Sequence, residues 1–187
     1  MDKKWFVIIN PVSGGKYAPK LWNKMKSLLD AAHILYEDVF TEYVDHAGQL
    51  AQNALHDGFQ QFIIIGGDGT ANDVVNGIFN SGFDTTTVTV AMIAAGTGND
   101  WVRTIGTYKN LNAIPEALKQ KNTFLHDVGE VWYQKNNQTA RRYFVNITGL
   151  GFEGHVAKKL FEKALSEAVW IDDLPVVTPE YLVIMKF

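Results

Sequence analysis

Short apolar runs alternate along this chain with segments in which apolar residues recur at helical spacing. We predict strands at 5–9, 34–40, 62–65 and 88–93, and the continuous apolar run at 5–9 is typical of a strand buried on both faces. Apolar positions three or four residues apart predict helices at about 18–32, 47–55 and 71–79, with further helices after residue 100 and at about 111–121. Strand and helix in regular succession indicate a parallel sheet with helices on both faces.

The pattern changes near residue 122. We therefore predict an α/β, three-layer domain with a mostly parallel sheet over residues 1–122. Two longer strands at 124–134 and 141–148, joined by the polar turn "QKNNQT", predict an antiparallel hairpin. This hairpin is expected to begin a β-rich second domain over 123–187, with a helix at about 153–168 and a tail from 169 that no pattern places.

Composition limits the class of protein. The 187 residues, 47% of them hydrophobic, suit one domain, or one domain with part of another, around a sizeable core. The absence of cysteine excludes disulfides, thiol catalysis and cysteine-bound zinc. A net charge of −3 gives no electrostatic reason to bind nucleic acid. No secretory signal is recognisable and no apolar run approaches the roughly 18 residues of a membrane span, so we expect a cytoplasmic protein.

Polar loops follow the four predicted strands, and three of them are rich in glycine. They are "NPVSGG" at 10–15, "TEYVDHA" at 41–47, "GGDGTAND" at 66–73 and "AAGTGND" at 94–100. The carboxyl ends of parallel strands meet at one edge of a sheet, where ligands of open α/β sheets bind. Glycine beside Ser, Thr or Asn lets backbone N–H groups approach phosphate oxygens. The loops therefore predict a phosphate site at this edge.

One carboxylate, Asp68, lies among the glycines of the third loop. Because a carboxylate repels phosphates, two roles are open: it holds Mg²⁺ that accompanies the phosphates, or it acts on the hydroxyl that receives a phosphoryl group. Thr70 is predicted to cap the following helix. The alternative is ordinary turn composition, against which four such loops at one edge argue.

Several other sites are absent from the sequence or weakly supported. Neither G-x-x-x-x-G-K-[ST] nor a G-x-G-x-x-G after the first strand occurs, which excludes the P-loop and the NAD fingerprint. The five histidines show no metal-ligand spacing, and His46, in the second loop, is interpreted as a helix cap. Trp101 is interpreted as core or domain-interface packing.

Several linked motifs resemble the catalytic domain family of diacylglycerol kinases, which includes bacterial lipid kinases and is related to sphingosine kinases. They cover about residues 5–160 and comprise "NPVSGG", Thr41 with His46-Ala47, "GGDGTANDVVNGI", "GTGNDWVR", "HDVGEV" and "YFVNITGLGFEGHVA". Asp73 stands where the family usually has Glu, and Ala95 where Pro is common. An NAD-kinase-like or phosphofructokinase-like enzyme shares the Gly-Gly-Asp-Gly-Thr loop and a similar sheet, but "GTGND" favours the lipid kinases.

The resemblance implies ATP-dependent phosphorylation of a lipid hydroxyl, diacylglycerol giving phosphatidic acid in phospholipid metabolism, with ATP and Mg²⁺ as cofactors. Asp68 is the catalytic candidate, Asp68 and Asn72 would lie nearest the phosphates, and Asp100 and Arg103 would shape the cleft. No residue is assigned as a metal ligand. The implied nucleotide contacts are Asn10, Pro11, Val12, Ser13, Gly14, Thr41, Gly67, Asp68, Gly69, Thr70, Ala71, Asn72, Asp73 and Thr97.

The resemblance also implies a larger protein than this sequence. Family members carry a β-rich second domain that forms much of the lipid pocket and supplies the proposed general base, expected here beyond residue 187. A non-catalytic, truncated nucleotide-binding module is therefore the alternative to a kinase active by itself. The lipid would be presented at a membrane surface, which implies peripheral association, and the exposed edges of an unfinished β-domain favour a homodimer.

Overall fold

The computed structural model describes residues 4–95, 100–105, 110–120, 123–135, 137–146 and 182–184. The chain divides into two compact units, Met1–His126 and Asp127–Phe187.

The first unit contains a parallel four-stranded sheet in the order β2-β1-β3-β4. Its strands are β1 (Trp5–Ile9), β2 (Tyr36–Phe40), β3 (Gln61–Gly66) and β4 (Thr89–Ala94). Ile9 is in register with Phe40 on one side and with Ile65 on the other, and Ile65 is in register with Ile93. The four strands therefore end at one edge of the sheet, which confirms the predicted parallel arrangement.

Within the described residues, six helical segments accompany this sheet. They are α1 (Ser13–Lys16), α2 (Ala18–Ala31), α3 (His46–His56), α4 (Asp68–Asn80), α5 (Asp100–Ile105) and α6 (Ile114–Gln120). A 3-10 turn at Leu111–Ala113 precedes α6, so the helix predicted at 111–121 is shorter than expected, and β2 begins two residues later than predicted. Within the described ranges, no helix combines the length and apolar character that crossing a bilayer requires.

Helices cover both faces of the sheet. On one face, Val7 and Ile9 of β1 and Ile63 and Ile65 of β3 pack in one cluster with residues of α2 and α6. Side chains alternate along a strand, so Phe62 and Ile64 point to the other face, and both are fully buried. Burial of β3 along its whole length explains its continuous apolar sequence and confirms the three layers.

The second unit contains an antiparallel hairpin, β5 (Gly129–Lys135) and β6 (Gln138–Phe144), as predicted, although the predicted bounds were wrong. The range 124–128 lies outside any strand, and the turn is tighter than "QKNNQT" because residues at both of its ends pair across the hairpin. Asn137 has φ +61°, a left-handed conformation that Asn tolerates and that a tight turn uses. In the tail, β7 (Leu182–Ile184) pairs with β5. The predicted helix at 153–168 lies outside the described residues.

Candidate functional site

The strand order reverses between β1 and β3, and we call the region between the carboxyl ends of these two strands the crevice. From β1 the chain proceeds to β2 on one side, and β3 then pairs on the opposite side of β1. At such a reversal the loops leave in opposite directions, which opens the crevice where α/β proteins bind ligands. The glycine-rich loops after β1 and β3 therefore begin side by side.

The side chain of Asn10 joins these two loops. Its Nδ2 donates a hydrogen bond to Thr70 Oγ1 (2.9 Å), and its Oδ1 accepts one from the backbone N–H of Val12 (3.1 Å). The prediction that Thr70 caps α4 was wrong, because the helix begins earlier: Gly67 is the N-cap, with extended backbone, and Thr70 lies buried in the first turn. The Thr70 hydroxyl instead accepts the bond across the crevice.

The loop after β1 also reaches the end of β4. Ser13–Lys16 form a tight turn rather than a regular helix, because Gly14 and Gly15 have left-handed backbone with φ of +61° and +63°. A Cβ atom on Gly14 would lie 1.8 Å from the backbone oxygen of Ala95, which follows β4. Only glycine permits both this backbone conformation and this approach, so position 14 brings two of the predicted loops into contact.

The carboxylate of Asp68 connects the third loop to α5. Its Oδ2 accepts a hydrogen bond from the backbone N–H of Asp100 (2.8 Å), and its Oδ1 accepts one from the backbone N–H of Trp101 (3.2 Å). Asp68 thus supplies the N-terminal cap of a helix that begins 32 residues later, and hydrogen bonds to a charged group are among the stronger ones. Arg103 pairs with the Asp100 carboxylate (3.0 Å) on the same helix.

The sequence analysis did not predict that Asp68 caps α5. A cap from within the local segment has a recognisable spacing, but a carboxylate on a different loop has none. Only the parallel pairing of β3 with β4, which places the two loops side by side, could have suggested it.

The N-terminus of α4 lies at the same edge of the sheet and follows a glycine. Its N-cap, Gly67, carries no side chain, and no side chain caps the helix among the described residues. Gly69 is exposed, and a Cβ there would meet no atom within 4 Å. Asn72 lies one turn after Asp68, and its Oδ1 is buried without a hydrogen-bond partner in the described part of the chain. Ala71 is fully buried, and Asp73 is half-buried.

The loop after β2 borders the same edge. The backbone N–H of Thr41 donates to Ile9 O (2.8 Å), and Thr41 is buried. His46 was predicted to cap α3, but the N-cap residue is Asp45. The Nδ1 atom of His46 accepts a hydrogen bond from the N–H of Glu42 (3.0 Å), and the His46 ring stacks on Tyr43.

The predicted residues therefore occupy one edge, and contacts join the loops after β1, β3 and β4. Asn10 to Gly14, Thr41 and the segment 67–73 follow three neighbouring strands, and α5 carries Asp100 and Arg103. Thr97 lies outside the described residues.

Comparison with known proteins assigns this arrangement to a family. Residues 4–131, more than half of the chain, match the diacylglycerol kinase catalytic domain. The chain belongs to the diacylglycerol kinase catalytic domain family. YtlR of Bacillus subtilis (strain 168), named provisionally as a lipid kinase, is 31% identical over 163 residues, which are 84% of this chain and 51% of YtlR.

One further curated relative agrees with this family, and a solved structure shares the fold. A diacylglycerol kinase of Staphylococcus aureus (strain JH9) is 28% identical over 81% of this chain and 44% of its own length. The crystal structure of a diacylglycerol kinase from Bacillus anthracis str. Sterne shares the fold, with a TM-score of 0.58 and 24% identity over 74% of this chain and 47% of that chain. The chain spans about half the length of the curated relatives it matches.

Proposed function

We propose that this chain is the nucleotide-binding part of an ATP-dependent lipid kinase, in which the γ-phosphoryl group of ATP passes to the hydroxyl of diacylglycerol and gives phosphatidic acid. The observation that carries the proposal is the convergence of the three glycine-rich loops at the crevice between β1 and β3. Phosphoryl transfer depends on positioning and charge neutralisation, so a rigid cluster of loops suits it.

The residues at α4 fit the phosphates of ATP. The first backbone N–H groups of a helix lack intrahelical acceptors, and their partial positive charge attracts anions. Gly67 supplies no capping side chain, and the exposed Gly69 leaves open space where other residues carry a Cβ. Phosphate oxygens would satisfy these N–H groups, which is the role we assign to the segment from Gly67 to Thr70.

Two oxygen-bearing side chains on α4 fit Mg²⁺. Asp68 and Asn72 are four residues apart and so share one face of the helix, and Asn72 Oδ1 lacks a partner among the described residues. No group of three or more His, Asp or Glu side chains suited to a metal occurs in the described ranges. Mg²⁺ is commonly held by one or two carboxylates together with substrate phosphates, where it neutralises their charge.

The Asp68 carboxylate can cap α5 and bind a cation at the same time. A carboxylate offers about four lone-pair sites, and the N–H groups of Asp100 and Trp101 use two of them. We therefore assign Asp68 to holding α5 in place and to binding the cation that accompanies the phosphates. The base that accepts the lipid hydroxyl proton is assigned to the second domain of the family.

The lipid and the membrane belong to the proposal as well. Relatives named as lipid and diacylglycerol kinases support diacylglycerol as the acceptor, and such a substrate implies peripheral contact with a membrane. The second candidate is nucleotide binding without turnover by these 187 residues, since we assign the base for the lipid hydroxyl to none of the described residues.

The substitution Gly69→Ala separates nucleotide binding from stability. The added Cβ meets no protein atom, and Ala is favoured over Gly in a helix by up to about 1 kcal/mol, so the unfolding midpoint is expected to stay or rise. The same methyl group would occupy the space assigned to phosphate. We expect Mg-ATP affinity in a calorimetric titration to fall at least about tenfold, a loss of about 1.4 kcal/mol.

Ser27→Ala, on the exposed side of α2, is the matched control. It raises helix propensity away from the crevice and is expected to leave affinity unchanged. Wild-type affinity in Gly69→Ala would overturn the assignment of this loop to the phosphates.

A further inference from the structure

Trp101 donates two hydrogen bonds to two different segments of the chain. Its backbone N–H donates to the Asp68 carboxylate (3.2 Å), and its indole Nε1–H donates to Nε2 of His126 (3.1 Å). The two rings meet edge to face with centroids 5.8 Å apart, and Trp101 is buried. One residue thus joins the glycine-rich loop to the segment 123–126.

We propose that Trp101 is a positioning residue of the nucleotide site, and that its indole bond to His126 holds α5 where the Asp68 carboxylate can cap it. The inference rests on the proposed nucleotide binding. His126 holds the indole of Trp101, Trp101 holds the first turn of α5, and the amides of that turn orient the Asp68 carboxylate.

The helix α5 has only six residues. Helices of this length are not stable alone, so α5 depends on its contacts. The cap from Asp68 attaches the N-terminus of α5 through two hydrogen bonds to one carboxylate. The indole bond of Trp101 is a second attachment, and two attachments fix an orientation.

Two exposed apolar side chains precede His126. The neighbouring Phe124 and Leu125 are 65% and 84% exposed, so the segment is not held by burial of these side chains. If position 101 needed only an aromatic ring for packing, phenylalanine would be sufficient. A buried indole N–H requires an acceptor, and His126 provides it.

The test compares two substitutions of His126 in the full chain. His126→Gln keeps an acceptor oxygen near the position of Nε2, whereas His126→Leu keeps apolar contact without an acceptor. A typical hydrogen bond corresponds to an affinity change of about twofold to tenfold, so we expect His126→Leu to weaken Mg-ATP binding by that factor and His126→Gln to restore it. Hydrogen exchange of the Asp100 and Trp101 amides should accelerate in His126→Leu alone.

Trp22→Phe is the matched control, because the indole N–H of Trp22 also donates to a partner, Asp38 Oδ2 (3.0 Å), but on α2. It is expected to lower thermal stability and leave Mg-ATP affinity unchanged. If the wild-type chain binds Mg-ATP and His126→Leu binds it with the same affinity, the inference is wrong.

Failure of the wild-type chain to bind Mg-ATP would overturn the proposed function instead. The amide exchange would then decide on the positioning role: faster exchange at Asp100 and Trp101 in His126→Leu supports it, and unchanged exchange overturns it.

Discussion

At the scale of single residues, neighbouring glycines with the same backbone conformation have different tasks. Gly14 and Gly15 both have φ near +60°, where a side chain costs about 1–2 kcal/mol. A Cβ at Gly14 would also lie 1.8 Å from the backbone oxygen of Ala95, whereas a Cβ at Gly15 would meet nothing within 4 Å. Position 14 therefore sets the distance between two loops, and position 15 sets only the path of the chain.

The paired substitutions Gly14→Ala and Gly15→Ala measure this difference. We expect Gly15→Ala to reduce the free energy of unfolding by about 1–2 kcal/mol, the left-handed backbone penalty alone. Gly14→Ala adds the displacement of a backbone oxygen, which brings the loss to about 2–5 kcal/mol, and should also weaken Mg-ATP binding. Urea unfolding measures both losses, and equal losses would contradict the close approach.

Residue chemistry was the part of the site most accessible from sequence. Glycine and aspartate after a buried strand indicate a phosphate loop without knowledge of their partners. The contacts of Asn10 with Thr70 and of Asp68 with α5 could not be predicted, because each joins residues that only the sheet brings together. The assignment of nucleotide contacts to individual residues stays a prediction.

At the scale of elements, α3 and α4 cross at two glycines. A Cβ on Gly77 would lie 2.1 Å from the backbone oxygen of Gly48. The backbones of the two helices are therefore in direct contact on the face of the sheet opposite to α2. Because α4 begins at Asp68, this crossing also determines where the glycine-rich loop lies.

Gly77→Ala tests the crossing. Helix propensity alone favours Ala by about 1 kcal/mol, but the methyl group must push the helices apart, which typically costs about 1–3 kcal/mol. We expect a lower unfolding midpoint for Gly77→Ala and an equal or higher one for Gly69→Ala, on the same helix. A stabilised Gly77→Ala variant would contradict the close helix contact.

Element prediction succeeded where burial sets the pattern and failed at the ends of the hairpin. The fully buried β3 lies within one residue of its predicted bounds, because a continuous apolar run has few alternatives. The range 124–128 is also rich in apolar residues, yet it forms no strand, and Leu125 is 84% exposed. Apolar composition without a pairing partner does not make a strand.

At the scale of the whole molecule, topology turns separate loops into one site. The strand order places the ends of β1 and β3 together, and the loops then reach β4 and α5 through Gly14 and Asp68. Alternation of strand and helix was enough to predict the parallel sheet and the ligand edge. It could not give the strand order, on which the position of the crevice depends.

The most direct test is a calorimetric titration of the 187-residue chain with Mg-ATP, followed by a labelled-phosphate assay on diacylglycerol micelles. We expect saturable binding, with a dissociation constant of roughly 1 μM to 1 mM, and weaker binding by Asp68→Ala. Transfer of phosphate would identify the chain as a kinase by itself, and binding without transfer as the nucleotide-binding part. If the chain unfolds cooperatively, and is therefore folded, but does not bind Mg-ATP, the proposed nucleotide site is wrong.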